Sequence, residues 1–130
     1  MRRVVADASV VAAVCFGEPD ADAWGERLDG AALFAPTLLQ YELQSVARKK
    51  CTRHPDRAPA IVRALALALH SSQGLVFLDP DPTDVVLLAA ATGLTTYDAS
   101  YLCLAGMLDA DLMTRDTRLA AALDPYAERG

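Results

Sequence analysis

Arg3-Val4-Val5-Ala6-Asp7-Ala8-Ser9-Val10 changes its hydrophobic rhythm at Asp7. Before the aspartate, Arg3 to Ala6 is a short run with β-branched residues that reads as a strand. After it, Ser9 to Phe16 is built of alanines and valines that suit a buried helix. A strand passing straight into a helix through an acid is the unit from which the rest of the chain can be read.

Working outward, a second helix is expected over Ala21 to Leu28, with Ala21, Trp24 and Leu28 on one side. Trp24 reads as a core or interface residue rather than a base-stacking platform. Ala31 to Ala35 is a second strand, and Pro36 can open a long helix that runs to about Cys51. His54-Pro55-Asp56-Arg57-Ala58-Pro59 is a break, followed by a helix from Ala60 to His70 that Gly74 ends. Leu75 to Leu78 forms a third strand. The acids of Asp79-Pro80-Asp81-Pro82-Thr83-Asp84 lack the glycine and glutamate of a calcium loop. Asp81 as N-cap with Pro82 at the first helical position accounts for them. A helix then covers Thr83 to Thr92 and stops at Gly93, Asp98 opens another that reaches about Leu108, Ala110 to Thr114 is a fourth strand, and Asp116 starts a short final helix. Strands alternating with helices, without repeats or a flexible linker, predict one α/β domain over residues 1–130: a central parallel sheet of about four strands with helices on both faces.

Composition agrees with this reading. The hydrophobic fraction is 53% and the charged fraction 22%, which excludes a disordered chain. No apolar run approaches the roughly 18 residues that span a bilayer, since Arg63 interrupts the most apolar stretch, Ala60 to Leu69. The amino-terminal segment meets Asp7 too early for a signal-peptide core. A cytoplasmic protein with no membrane association is expected. Cys15, Cys51 and Cys103 are widely spaced and form no C-x-x-C pair, so they read as small buried hydrophobes rather than as disulfide or zinc ligands.

The net charge of −5 is unfavourable for nucleic acid overall. The basic residues are concentrated, however: Arg48, Lys49, Lys50, Arg53, Arg57 and Arg63 make up half of the chain's 12 lysines and arginines. Two readings of this strip stand side by side, an RNA-binding track for the phosphate backbone centred on Arg48, Lys49, Lys50 and Arg53, or a solvated helix face.

The acids carry the chemistry. Asp7, Asp98 and Asp116 stand at expected helix starts, where aspartate caps are favoured by about 1 kcal/mol, and singly each is explained as a cap. Asp7 and Asp116 also follow strands directly, and the carboxyl edge of a parallel sheet is where α/β folds bind ligands. Glu42 lies within a helix, on the same side as Leu38, Leu39, Leu43 and Val46. An ionised carboxylate on an apolar stripe calls for a cationic partner, either an arginine at the core edge or a metal. Four converging carboxylates are tolerable only if cations neutralise them, and oxygen-only ligands favour Mg2+ or Mn2+ over zinc. His54, in a break, and His70, near a helix end, add nothing to a zinc site. Such a cluster supports phosphodiester hydrolysis, in which the metal polarises the phosphoryl oxygen and activates water. Ser9 and Thr114 stand close enough in sequence to support a metal ligand, a water or a phosphate, or simply to cap helices.

Four segments, Val5-Ala6-Asp7-Ala8-Ser9-Val10, Tyr41-Glu42-Leu43, Leu94-Thr95-Thr96-Tyr97-Asp98-Ala99-Ser100-Tyr101-Leu102 and Leu112-Met113-Thr114-Arg115-Asp116-Thr117-Arg118-Leu119, resemble the PIN domain in order and spacing. The likeness extends over essentially the whole chain and is strongest to the VapC toxins of bacterial toxin-antitoxin pairs. It implies a PIN-like three-layer sandwich and an endoribonuclease whose acids match Asp7, Glu42, Asp98 and Asp116. It further implies Mg2+ or Mn2+ as cofactor, transfer or ribosomal RNA as substrate, a homodimer, and a cognate VapB-like antitoxin as partner. Two alternatives differ in kind. A haloacid-dehalogenase-like phosphatase requires a second aspartate where Ser9 stands, and a non-catalytic PIN-fold binding module predicts loss of acids that are all present.

Overall fold

A computed structural model describes residues 1–70 and 74–122. Four strands, β1 (Arg3–Ala6), β2 (Ala32–Ala35), β3 (Val76–Phe77) and β4 (Asp111–Met113), form one parallel sheet in the order β3-β2-β1-β4. Around it stand α1 (Ala8–Cys15), α2 (Ala21–Leu28), α3 (Leu38–Arg53), α4 (Ala58–His70), α5 (Pro82–Thr92) and α6 (Thr96–Leu108). Residues 117–122 are also helical. Val4, Val5 and Ala6 are each 0% exposed. Successive strand side chains point to opposite faces, so both faces of β1 are covered, as the α/β sandwich requires.

The core explains the helical segments. In α1, Val10, Val11, Ala12 and Ala13 are all buried, so the helix is apolar all round and packs against α2, α3 and α4. In α3, Leu39, Leu43 and Ala47 form a buried i, i+4, i+8 stripe. In α6, Tyr101, Leu102 and Ala105 are buried, and the helix packs on β1, β4 and α5. Asp81 caps α5, accepting the Thr83 amide at 2.8 Å with Pro82 at its start. Gly93, at φ +77°, closes the helix, its N–H donating to the Ala89 carbonyl at 2.9 Å.

Several boundaries differ from the sequence reading. Asp98 does not open α6: Thr95 is the N-cap, and its hydroxyl accepts the Asp98 amide at 3.1 Å, which places Asp98 inside the first turn. The hydroxyl supplies the acceptor that the aspartate was expected to provide. Pro36 lies one short-range turn before α3, with the Leu39 and Gln40 amides bonded three residues back. The expected break at 54–59 is largely a 3-10 turn, Pro55–Arg57, leading directly into α4. Where α4 ends relative to Gly74 lies outside the described residues. All three cysteines are partly, not fully, buried.

Connectivity decides where a ligand can sit. The chain steps from β1 to β2 to β3, then crosses back to lay β4 on the other side of β1. Between β1 and β4 the direction of winding reverses, leaving a crevice beyond their carboxyl ends. The register Ala6↔Met113 brings these ends level, with Asp7 and Thr114 next in line.

Candidate active site

Asp7 is the floor of this crevice. It is only 6% exposed, so its charge has to be met by hydrogen bonds. Its Oδ1 caps α1, accepting the Ser9 amide at 3.1 Å, the Val10 amide at 3.3 Å and the Ser9 hydroxyl. Its Oδ2 accepts the Thr114 hydroxyl. Each hydroxyl is itself oriented by the segment after β4: the Thr114 Oγ accepts the Asp116 amide and the Ser9 Oγ accepts the Arg115 amide, both at 2.9 Å. Ser9, in the first turn of α1, and Thr114, just past β4, therefore hold one Asp7 oxygen each. Their hydroxyl protons go to Asp7, not to helix ends.

Asp116 accepts the Arg118 and Leu119 amides through Oδ1, at 2.8 and 3.3 Å, as a cap of the helical residues that follow. Arg115 fastens the loop between α1 and α2 to this edge: its guanidinium lies 2.6 Å from Glu18 and 3.2 Å from Asp20. The Asp20 carboxylate also accepts the Trp24 indole N–H at 2.9 Å. Trp24 itself is partly buried against the core.

Glu42 and Asp98 complete the acidic group. Glu42 accepts the hydroxyl of Tyr101, a side chain only 1% exposed. The Glu42 carboxyl is pushed above its ordinary range by burial and by the charges of Asp7 and Asp98, against the opposing pull of the Tyr101 bond. Asp98 is likewise raised, first by burial and then by Asp116 and Asp7, with Arg118 and the Thr95 bond pulling down. The Tyr101 phenol is raised by burial and by its bond to Glu42. The charge of Asp7 thus reaches both Glu42 and Asp98, that of Asp98 reaches Glu42 and that of Asp116 reaches Asp98, and among the described residues no lysine or arginine forms an ion pair with any of the four. The core-edge arginine considered for Glu42 is not there among the described residues; a tyrosine is.

Among the described residues no three acidic, histidine or cysteine side chains stand close enough to grip one ion together. The carboxylates share one electrostatic neighbourhood without forming a closed ligand shell. Their chemistry nonetheless fits a hard divalent cation: oxygen donors only, mutually repelling, and without a paired base.

The basic strip divides. Arg48 and Lys49 are exposed, whereas Lys50 is half-buried, 3.4 Å from Glu18 and with its ammonium 5.7 Å from the centre of the Phe16 ring. Lys50 and Arg53 line a pocket with Phe16 and Glu18. Sequence reasoning missed two contributors, Tyr101 and Arg115. Tyr101 carried a usable signal, since it lies three residues beyond Asp98 and so on the same side of α6. Arg115 carried none beyond its place between Thr114 and Asp116.

The chain belongs to the PIN domain family, whose profile matches residues 4–123. PIN domains are typically nucleases, and PIN nucleases typically use divalent metals. The structure is similar to the crystal structure of PAE2754 from Pyrobaculum aerophilum, with a TM-score of 0.73 and 27% sequence identity over 98% of this chain and 96% of that one. No curated protein matches the sequence. Among the described residues no helix is long and apolar enough to cross a membrane.

Proposed function

We propose that this protein is a metal-dependent endoribonuclease, the VapC-like toxin of a type II toxin-antitoxin pair, acting in the cytoplasm on transfer or ribosomal RNA. The observation that carries the reading is the grouping of Asp7, Glu42, Asp98 and Asp116 at the crevice between β1 and β4, with Glu42 and Asp98 raised by burial and by neighbouring acids and none of the four with a basic partner among the described residues. Burying like charges around a cleft lowers stability unless a cation or substrate is meant to enter it.

Asp7, Asp98 and Asp116 would hold Mg2+ or Mn2+ directly, and Glu42 directly or through water. The ion, when bound, supplies charge stabilisation to the phosphodiester and acidifies the attacking water. Asp7 is locked by Ser9 and Thr114, so its orientation is set before anything binds. Glu42 is steered by Tyr101. The homodimer and the VapB-like antitoxin follow from the resemblance to VapC.

The test is cleavage of total cellular RNA by purified protein freed of any antitoxin. Cleavage is expected with Mg2+ or Mn2+ and lost in Asp7→Asn and Asp98→Asn, and expression in a bacterium should arrest growth through the same residues. Cleavage that persists in EDTA would refute the metal mechanism. Growth arrest indifferent to the acids would favour a PIN-fold binding module, and hydrolysis of p-nitrophenyl phosphate without RNA cleavage would favour a phosphatase.

A further inference from the structure

A second concavity lies beside the acidic crevice, between the end of α1, the last turn of α3 and the start of α4. It encloses about 390 Å3, within the ~300–1,000 Å3 common for small-ligand sites. The half-buried lining includes the apolar Phe16, Ile61 and Ala64 beside Glu18 and Lys50, while Arg53 and Arg57 are exposed at its rim and Lys50 lies against the Phe16 ring. The pocket also contains an acid, Glu18, but its charge is shared between Lys50 and Arg115. The pocket therefore keeps a positive rim over an apolar, partly aromatic floor, in a chain whose net charge is −5.

Glu18 joins this pocket to the acidic crevice through direct contacts. Its carboxylate holds the Arg115 guanidinium, the Arg115 amide donates to the Ser9 hydroxyl, and that hydroxyl donates to Asp7.

We propose that the pocket binds a single nucleotide of the RNA substrate, flanking the bond that is cut, with the base against Phe16 and Ile61 and the phosphate held by Arg53 and Arg57. The proposal rests on the ribonuclease reading for its substrate. Base stacking on an aromatic face is worth about 1–3 kcal/mol, and a guanidinium fork matches phosphate oxygens two at a time. An acidic peptide would satisfy the rim but make no use of an aromatic floor. Of the basic strip, this assigns Arg53 and Arg57 to one phosphate and leaves Arg48 and Lys49 to general attraction.

The experiment is calorimetric titration of the full chain with adenosine 5′-monophosphate, adenosine, inorganic phosphate and hexaglutamate. The mononucleotide should bind at least about tenfold more tightly than adenosine or phosphate alone. The exposed-residue double variant Arg53→Ala with Arg57→Ala should lower its affinity about 10- to 100-fold, leave adenosine binding unchanged, and raise KM for RNA cleavage with kcat unchanged. Equal binding of nucleotide and phosphate, or unchanged nucleotide binding and KM in the double variant, would overturn the proposal. Hexaglutamate binding more tightly than the nucleotide and displacing it would overturn it too, assigning the pocket to an acidic peptide. Titration needs no catalysis, so nucleotide binding by a chain that cuts no RNA would count against the nuclease reading and leave the pocket assignment standing.

Discussion

Replacing Tyr101 with phenylalanine removes one oxygen from a side chain that is 1% exposed and leaves its packing in place. The lost bond is the hydroxyl donated to Glu42. A hydrogen bond to a charged group contributes about 1.5–3 kcal/mol. Glu42 is only half-buried, so water recovers part of this, and a loss of about 1–2 kcal/mol is expected. For a domain of this size that corresponds to roughly 3–10 °C in Tm. The functional consequence has a definite sign. The Tyr101 bond favours the ionised carboxylate and is the influence that holds Glu42 down against burial, Asp7 and Asp98. Without it the Glu42 carboxyl rises further, so the acid limb of the cleavage pH profile should move to higher pH and the Mg2+ concentration for half-maximal activity should rise. Loss of a group that orients a ligand commonly costs about 10- to 100-fold in affinity or activity. The assay is initial rate of RNA cleavage from pH 5 to 9 at several Mg2+ concentrations, alongside thermal melts. A lower Tm with an unmoved acid limb and an unchanged metal requirement would refute the steering role and leave Tyr101 as a core residue.

Three further outcomes follow from the same geometry. Thr114→Val should lose about 2–4 kcal/mol in denaturant titration, because the donor to Asp7 and the acceptor for the Asp116 amide vanish together, while Thr114→Ser, which keeps the hydroxyl, should stay close to wild type. Glu42 and Asp98 are raised in the folded state, so the fold holds more protons than the unfolded chain between their ordinary and raised values, and the stability they contribute is lost as pH rises through that window. Glu42→Gln keeps an oxygen for Tyr101 and removes the repulsion, so its Tm should exceed that of the metal-free wild type at pH 7.5 by an amount typical of about 0.5–2 kcal/mol. That gain should fade below about pH 4, where the wild-type carboxyl is neutral in both states. Lys49→Glu with Lys50→Glu should weaken RNA binding and flatten its salt dependence, and an unchanged slope would return the strip to a solvated helix face.

Much of this architecture is local and could be read residue by residue. The switch from strand to helix at Asp7, the Asp81-Pro82 start of α5 and the stop at Gly93 depend on neighbours a few positions away. The same is true of the glutamate on the α3 apolar stripe. Where local signals compete, spacing alone does not decide: Thr95, Thr96 and Asp98 all suit a helix start, and the backbone takes the hydroxyl of Thr95.

The site's wiring is of another kind. Its partners are separated by 107 residues for Thr114 and Asp7, 59 for Tyr101 and Glu42, and 97 for Arg115 and Glu18. No periodicity encodes such pairs. The Thr114–Asp7 pair exists because β4 returns to pair with β1 in the register Ala6↔Met113, which sets the ends of two strands side by side and aims Thr114 at the carboxylate that Ser9 already holds from two residues away. By itself the sequence determined the elements, their alternation and the acids worth suspecting, since propensity, capping and hydrophobic spacing act over a few residues. Only the tertiary structure decided which hydroxyl serves which acid, because that depends on strand order and register, where a slip of one residue would turn Thr114 away from Asp7.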